Sequence, residues 1–155
     1  MRIAVFQPDI AQNAGTILRL GACLNIGVDI IEPCGFPFGD ASLKRAGLDY
    51  LDHASFVRHE SWGTFLASKP PRLVLLTTKA ERAYTDFAFA PTDTLLFGRE
   101  SAGVPREVSE HAEVRLKIPL AQGMRSLNVA VAAAMVLGEA LRQTQLFPNQ
   151  EGARA

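Results

Sequence analysis

Two hydrophobic periodicities alternate along this chain, and that alternation limits its possible folds more than any other feature. Short apolar runs exchange with longer segments whose apolar residues recur at helical spacing. Leu73-Val74-Leu75-Leu76 is the clearest run. Four apolar residues in succession leave no polar face, as suits a strand in a sheet covered on both sides. Repeated alternation of this kind predicts a single α/β domain, with a mostly parallel sheet and helices on both faces. The predicted strands span residues 2–6, 28–31, 56–58, 73–77, 94–97 and 114–118. The predicted helices span 13–24, 40–47, 61–68, 105–111 and 126–143. Asn13 and Asp40 would cap the first two, Gly47 would end the second, and Pro70-Pro71 would stop the third. The domain is expected over 1–147, with 148–155 a loose tail.

Composition narrows the function classes. Apolar residues make up 48% of the 155 and charged residues 21%, enough apolar material for a sizeable core. Sixteen Lys and Arg balance sixteen Asp and Glu, so a nucleic-acid site would have to come from local clustering. Candidates are Lys44, Arg45, Arg58, Lys79, Arg82, Arg99, Arg106 and Arg125, each of which equally fits a solvated surface. Cys23 and Cys34 sit in apolar contexts and are expected as buried thiols in a reducing cytosol. The opening run Met1 to Phe6 is too short for a signal peptide, and the longest charge-free apolar stretch, 129–137, is far below the ~20 residues that span a bilayer. A soluble, cytoplasmic protein without membrane attachment is expected.

In open parallel sheets, ligands sit beyond the carboxyl ends of the strands. Three such ends here are polar and two carry glycine: Leu76-Thr77-Thr78-Lys79, Phe97-Gly98-Arg99-Glu100-Ser101-Ala102-Gly103, and Ile118-Pro119-Leu120 leading into Gly123-Met124-Arg125-Ser126-Leu127-Asn128. One alone would pass for an ordinary turn. Three at adjacent strand ends point to a shared pocket.

Several familiar chemistries are absent. Gly98 and Gly103 have the spacing of a P-loop, but Val104-Pro105 stand where Lys and Ser or Thr are required. No G-x-G-x-x-G follows the first strand, and no Ser occupies a G-x-S-x-G elbow. His53, His59 and His111 lack metal-ligand spacing, and no metal site is expected.

Asn13-Ala14-Gly15-Thr16-Ile17-Leu18-Arg19, Leu96 to Pro105 and Arg125 to Ala132 together resemble, in order and separation, the three motifs of the SPOUT RNA methyltransferases. Ile31-Glu32-Pro33, Arg45-Ala46-Gly47-Leu48-Asp49-Tyr50 and Leu76-Thr77-Thr78-Lys79 resemble the subgroup of minimal tRNA wobble-nucleotide 2′-O-methyltransferases. The resemblance covers about residues 2–147. It implies a C-terminal trefoil knot, which general folding rules would have rejected. It also implies S-adenosylmethionine as methyl donor, a homodimer, and the anticodon stem-loop of tRNA as partner. The implied reaction is methylation of the ribose 2′-hydroxyl of nucleotide 34, cytidine or modified uridine. Larger relatives carry RNA-binding extensions that this sequence lacks, which favours the minimal wobble-type enzyme. Three alternatives remain open: another tRNA or rRNA nucleotide as target, a non-catalytic RNA-binding module of the same fold, and a nucleotide-sensing α/β protein that binds ATP.

By the same resemblance, Leu76, Thr77, Gly98, Glu100, Ile118 and Ser126 contact the cofactor, with Leu120, Met124 and Leu127 walling the pocket. Core packing is the competing account of Leu76, Ile118 and Leu127. Methyl transfer calls for positioning rather than covalent help or a metal. The resemblance assigns Arg19, with Asn13, Glu100 and Asn128, to the catalytic site. A guanidinium stays protonated in proteins, so Arg19 suits orienting the hydroxyl or gripping a neighbouring phosphate. Its helix face is otherwise Gly15, Thr16, Ala22 and Cys23, so a buried ion pair across a dimer is the alternative. Asn13 and Glu100 would fix its side chain, or Glu100 would itself accept the proton. Asn128 either caps the last helix or binds substrate. Ala130, Ala132, Ala133 and Ala134 make that helix thin, suiting a dimer seam or the inside of a knot.

Overall fold

The computed structural model describes residues 1–39 and 54–148. The expected helix over 40–47, with Lys44 and Arg45, and the tail from 149 onward lie outside the described residues. Six strands form one sheet: β1 Arg2–Phe6, β2 Gly27–Ile31, β3 Phe56–His59, β4 Leu73–Leu76, β5 Thr94–Phe97 and β6 Val114–Leu116. Their order is β3-β2-β1-β5-β4-β6, and every pairing is parallel. The helices are α1 Ala11–Leu24, α2 Trp62–Ala67, α3 Arg106–His111 and α4 Val129–Thr144, with a 3-10 turn at Tyr84–Asp86.

Alternation along the strands feeds two cores. Ile3 and Val5 of β1 pack with Ile17 and Leu18 of α1 and Val136 and Leu137 of α4. Ala4 and Phe6 face the other way, toward Phe65 of α2 and Val108 and Ala112 around α3. Both faces are thus covered, as the unbroken apolar run in β4 requires. Leu95 and Leu96 at the sheet centre are wholly buried, and truncating either to Ala would cost about 2–5 kcal/mol.

Register decides where a ligand can sit. Val5, Phe97, Leu76 and Leu116 lie side by side in the ladder, so the loops after β1, β5, β4 and β6 emerge at one edge. From β1 the chain crosses to one face through α1, and from β5 to the other through α3. The diverging connections open a crevice between β1 and β5, the place where open α/β sheets bind ligands.

Three expectations need correction. Asn13 does not cap α1: the N-cap is Ile10, without a side-chain bond, and Asn13 lies buried within the first turn. The long helix begins at Val129, not at 126, because the Asn128 side chain accepts from the amides of Ala130 and Val131 and sets the first turn there. Of the thiols, Cys34 is half-buried but Cys23 is exposed, since it follows Thr16 and Arg19 along the outer side of α1.

Candidate functional site

A cavity of about 1010 Å³ opens at the carboxyl edge of the sheet. Its walls come from the three loops singled out in the sequence, with Ile10 and Asn13 from the start of α1. Leu76, Thr77, Gly98, Glu100, Ile118, Leu120, Ser126, Leu127, Asn128 and Asn13 all line it. Met124 does not; it stands 65% exposed on the third of these loops, which Gly123 turns at φ +84°. Arg19 is also outside the lining, on the exposed side of α1. The structure therefore brings together all but two of the expected site residues.

The loop after β5 closes on itself. Arg99 N donates to Gly103 O at 2.9 Å, and Gly103 N donates to Arg99 O at 2.8 Å. Gly103 adopts φ +67°, and a Cβ on Gly98 would lie 2.5 Å from the Gly103 carbonyl carbon. Both positions need glycine: one for the backbone turn, the other for the close approach of two strands of chain. The narrow backbone ridge that results faces the cavity.

Polar side chains wire this loop to the rest of the site. Asn13 Nδ2 donates to Glu100 Oε1 at 3.0 Å, and Asn128 Nδ2 donates to Asn13 Oδ1 at 2.9 Å. Asn128 caps α4 through its side-chain oxygen and joins the network through its side-chain nitrogen. Asp9 N donates to Glu100 Oε2 at 2.8 Å, so both carboxylate oxygens of Glu100 are held. The Asp9 carboxylate accepts from the Arg99 guanidinium and from Ser101. The Ser101 hydroxyl and amide, helped by Arg99, hold the Asp9 carboxyl below the usual carboxylate range.

Asp9 was not among the residues expected from sequence, nor were Arg99 and Ser101 as its partners. Only the strand order puts the loop after β1 beside the loop after β5, and that order is not written in either segment. The cavity also extends further than expected, toward Arg106, Ser109 and Glu110 of α3 and Arg115 of β6.

The candidate cations divide by partner. Arg58 pairs with Glu32 and lies over the Phe38 ring. Arg82 donates to Asp86 O and covers Phe87. Arg99 is held by Asp9, and Arg106 by Glu110. Lys79 and Arg125 line the cavity exposed, and their side chains make no hydrogen bond or ion pair with another described residue. Among the described residues, no group of three or more His, Cys, Asp or Glu is placed to hold a metal ion. No helix among them is long and apolar enough to cross a membrane.

Known proteins resemble this chain in sequence and fold. A tRNA (cytidine(34)-2′-O)-methyltransferase of Beijerinckia indica is 60% identical over 144 residues, covering 91% of this chain and 90% of the relative. A solved structure described as giving structural insights into the 2-OH methylation of C/U34 on tRNA superimposes with a TM-score of 0.86 at 39% identity, over 92% of this chain and 94% of its own. An AdoMet-bound SpoU methyltransferase of Streptomyces viridochromogenes superimposes with a TM-score of 0.81 at 27% identity, over 92% of this chain and 60% of its own. The model of the SpoU rRNA methylase family matches residues 1–138. With its parallel sheet, its strand-end cavity and this match over most of its length, the chain belongs to the SpoU rRNA methylase family.

Proposed function

We propose that this protein transfers a methyl group from S-adenosylmethionine to the ribose 2′-hydroxyl of nucleotide 34 of tRNA, a cytidine or modified uridine. The observation that carries the reading is the linkage of Asn13, Glu100 and Asn128, from three distant segments, at a cavity beyond the central strands. The activity borne by relatives up to 60% identical supports it.

The cavity fits the donor. Its volume of about 1010 Å³ is at the upper end of the ~300–1,000 Å³ of small-molecule sites. Gly98 brings bare backbone to the cavity, where a flat base can lie against it and be read by peptide groups. Leu76, Thr77, Gly98, Glu100, Ile118 and Ser126 are the proposed contacts, with Leu120 and Leu127 as apolar walls. When bound, the donor supplies a sulfonium methyl carbon open to in-line displacement. The chain's own part is alignment, which can contribute on the order of 7–11 kcal/mol of the barrier. Glu100, oriented by Asn13 and the Asp9 amide, is the proposed acceptor of the hydroxyl proton. Arg19 would orient the ribose hydroxyl or hold the adjoining phosphate.

Because Arg19 does not line the cavity of its own chain, we assign that role across a homodimer. Val131 and Met135 on α4, which packs beside α1, are 49% and 40% exposed and offer apolar surface for the seam. The anticodon stem-loop would then lie over the seam, with Lys79 and Arg125 meeting its phosphates. The trefoil knot is part of the same proposal. β6 forms one edge of the sheet while α4 packs on α1 and β5, so the intervening segment crosses the strand ends where a knot would be threaded.

A second target, ribosomal RNA, is favoured by the description of the family whose model the chain matches. Nucleoside mass spectrometry of tRNA and rRNA from cells with and without the protein separates the two. Loss of 2′-O-methylation confined to tRNA nucleotide 34 is expected; loss from rRNA alone would overturn the assignment.

A further inference from the structure

The loop after β5 is stitched internally by two backbone bonds between Arg99 and Gly103. Its attachment to the first strand's loop runs chiefly through one residue. Asp9 Oδ1 accepts from Arg99 Nε at 3.3 Å and Nη2 at 3.0 Å. Asp9 Oδ2 accepts from Ser101 N at 3.0 Å and Ser101 Oγ at 2.5 Å. The Asp9 amide donates to Glu100 Oε2 at 2.8 Å. Three consecutive loop residues thus converge on Asp9, which uses both carboxylate oxygens and its N–H. Gln7 adds a bond from Arg99 Nη1 to its Oε1 at 3.4 Å. The Arg99 side chain is 38% exposed, so the ion pair by itself is screened and of little worth. The clamp's strength lies in the convergence of charge-assisted bonds with different directions, which fixes orientation as well as distance.

We propose that Asp9 is a positioning residue for methyl transfer, clamping the Gly98–Gly103 loop so that the backbone ridge at Gly98 and the carboxylate of Glu100 meet the cavity in one fixed arrangement. The proposal rests on the reading of the cavity as the S-adenosylmethionine site. Without the carboxylate, the loop keeps its internal bonds and the bonds to the position-9 amide, Asn13 and Gln7, but loses four others and gains freedom to shift. Cofactor affinity and the placement of Glu100 then suffer together. The clamp needs an ionised acceptor with two free oxygens. Asn at position 9 can still accept at one oxygen but presents N–H toward donors at the other, so it restores only part of the effect.

Titration calorimetry with S-adenosylhomocysteine, single-turnover methylation and amide hydrogen exchange on Asp9→Ala, Asp9→Asn and Ser101→Ala test the proposal. Asp9→Ala is expected to weaken S-adenosylhomocysteine binding at least ~10-fold, the scale of one charge-assisted bond, and to slow turnover at saturating donor. Exchange should rise at residues 99–103 while the β-sheet amides stay protected. Asp9→Asn and Ser101→Ala should fall between Asp9→Ala and the unsubstituted protein. If Asp9→Ala does not fold, those two milder variants decide the matter. Unchanged affinity and unchanged exchange over 99–103 in the variants would overturn the clamp, as would faster exchange spread evenly over the whole sheet. Failure of the unsubstituted protein to bind S-adenosylhomocysteine would instead overturn the reading of the cavity.

Discussion

At the scale of single residues, exposure and pairing sort side chains that look alike in the sequence. Arg19 lies on the outer side of α1, so its loss should leave the cavity and cores undisturbed. Arg19→Ala is expected to slow single-turnover methylation at least a hundredfold, about 2.7 kcal/mol in the barrier, with donor affinity and melting temperature nearly unchanged. A large drop in melting temperature with turnover lost only in proportion would mark Arg19 as a structural ion-pair member. Lys79→Ala and Arg125→Ala should each weaken tRNA binding and lower its salt slope by about 1, since each would release a phosphate counterion. Arg58→Ala should leave the slope unchanged because Glu32 and Phe38 already hold that guanidinium. Fluorescence titrations across a salt series measure all three. Burial and the nearby Glu32 push the Cys34 thiol up to about 11, so it stays protonated and unreactive at neutral pH. Sequence context made both cysteines look buried, but only the three-dimensional path of α1 turns Cys23 outward.

At the scale of elements, the strands were the most legible and the helix starts the least. The strand predicted over 94–97 coincides with β5, because burial on both faces leaves a continuous signal in Leu95-Leu96-Phe97. The helix α4 starts three residues after the predicted 126, since Ser126 and Asn128 are both competent caps and only contacts across the site choose between them. Those contacts allow cap and network to be separated. Asn128→Ala loses both, and should destabilise α4 by about 0.5–2 kcal/mol as well as slow turnover. Asn128→Asp keeps an oxygen for the amides of Ala130 and Val131 but loses the donor to Asn13. Its denaturant midpoint should stay close to that of the unsubstituted protein while turnover falls. Equal losses of stability in the two variants would mean that the link to Asn13 has no role separate from the cap. The 3-10 turn at Tyr84–Asp86 had no periodic signal to betray it, being three residues long.

At the scale of the molecule, the two edges of the sheet carry different duties. The carboxyl edge holds the cavity, and the amino edge is pinned by Asp93, which is wholly buried. Its oxygens accept from Arg72 Nε and Nη2, each at 2.8 Å, and from Ala90 N at 2.8 Å. Asp93→Ala removes three hydrogen bonds, with only the Ala90 amide losing its acceptor outright, and should cost about 1–3 kcal/mol in urea unfolding, while the folded fraction still binds S-adenosylhomocysteine. Fold class and most of the cavity lining were readable from the sequence because local period and strand-end chemistry are local properties. Asp9 and the α3 side of the cavity were not, because they depend on which strands become neighbours. The central claim is chemical and is tested most directly by incubating the purified protein with methyl-labelled S-adenosylmethionine and two synthetic tRNAs. One carries cytidine at position 34, and the other carries 2′-deoxycytidine there. Label found as 2′-O-methylcytidine at position 34 of the first tRNA, with none in the second, is the predicted result; equal label in both, or none in either, would contradict it.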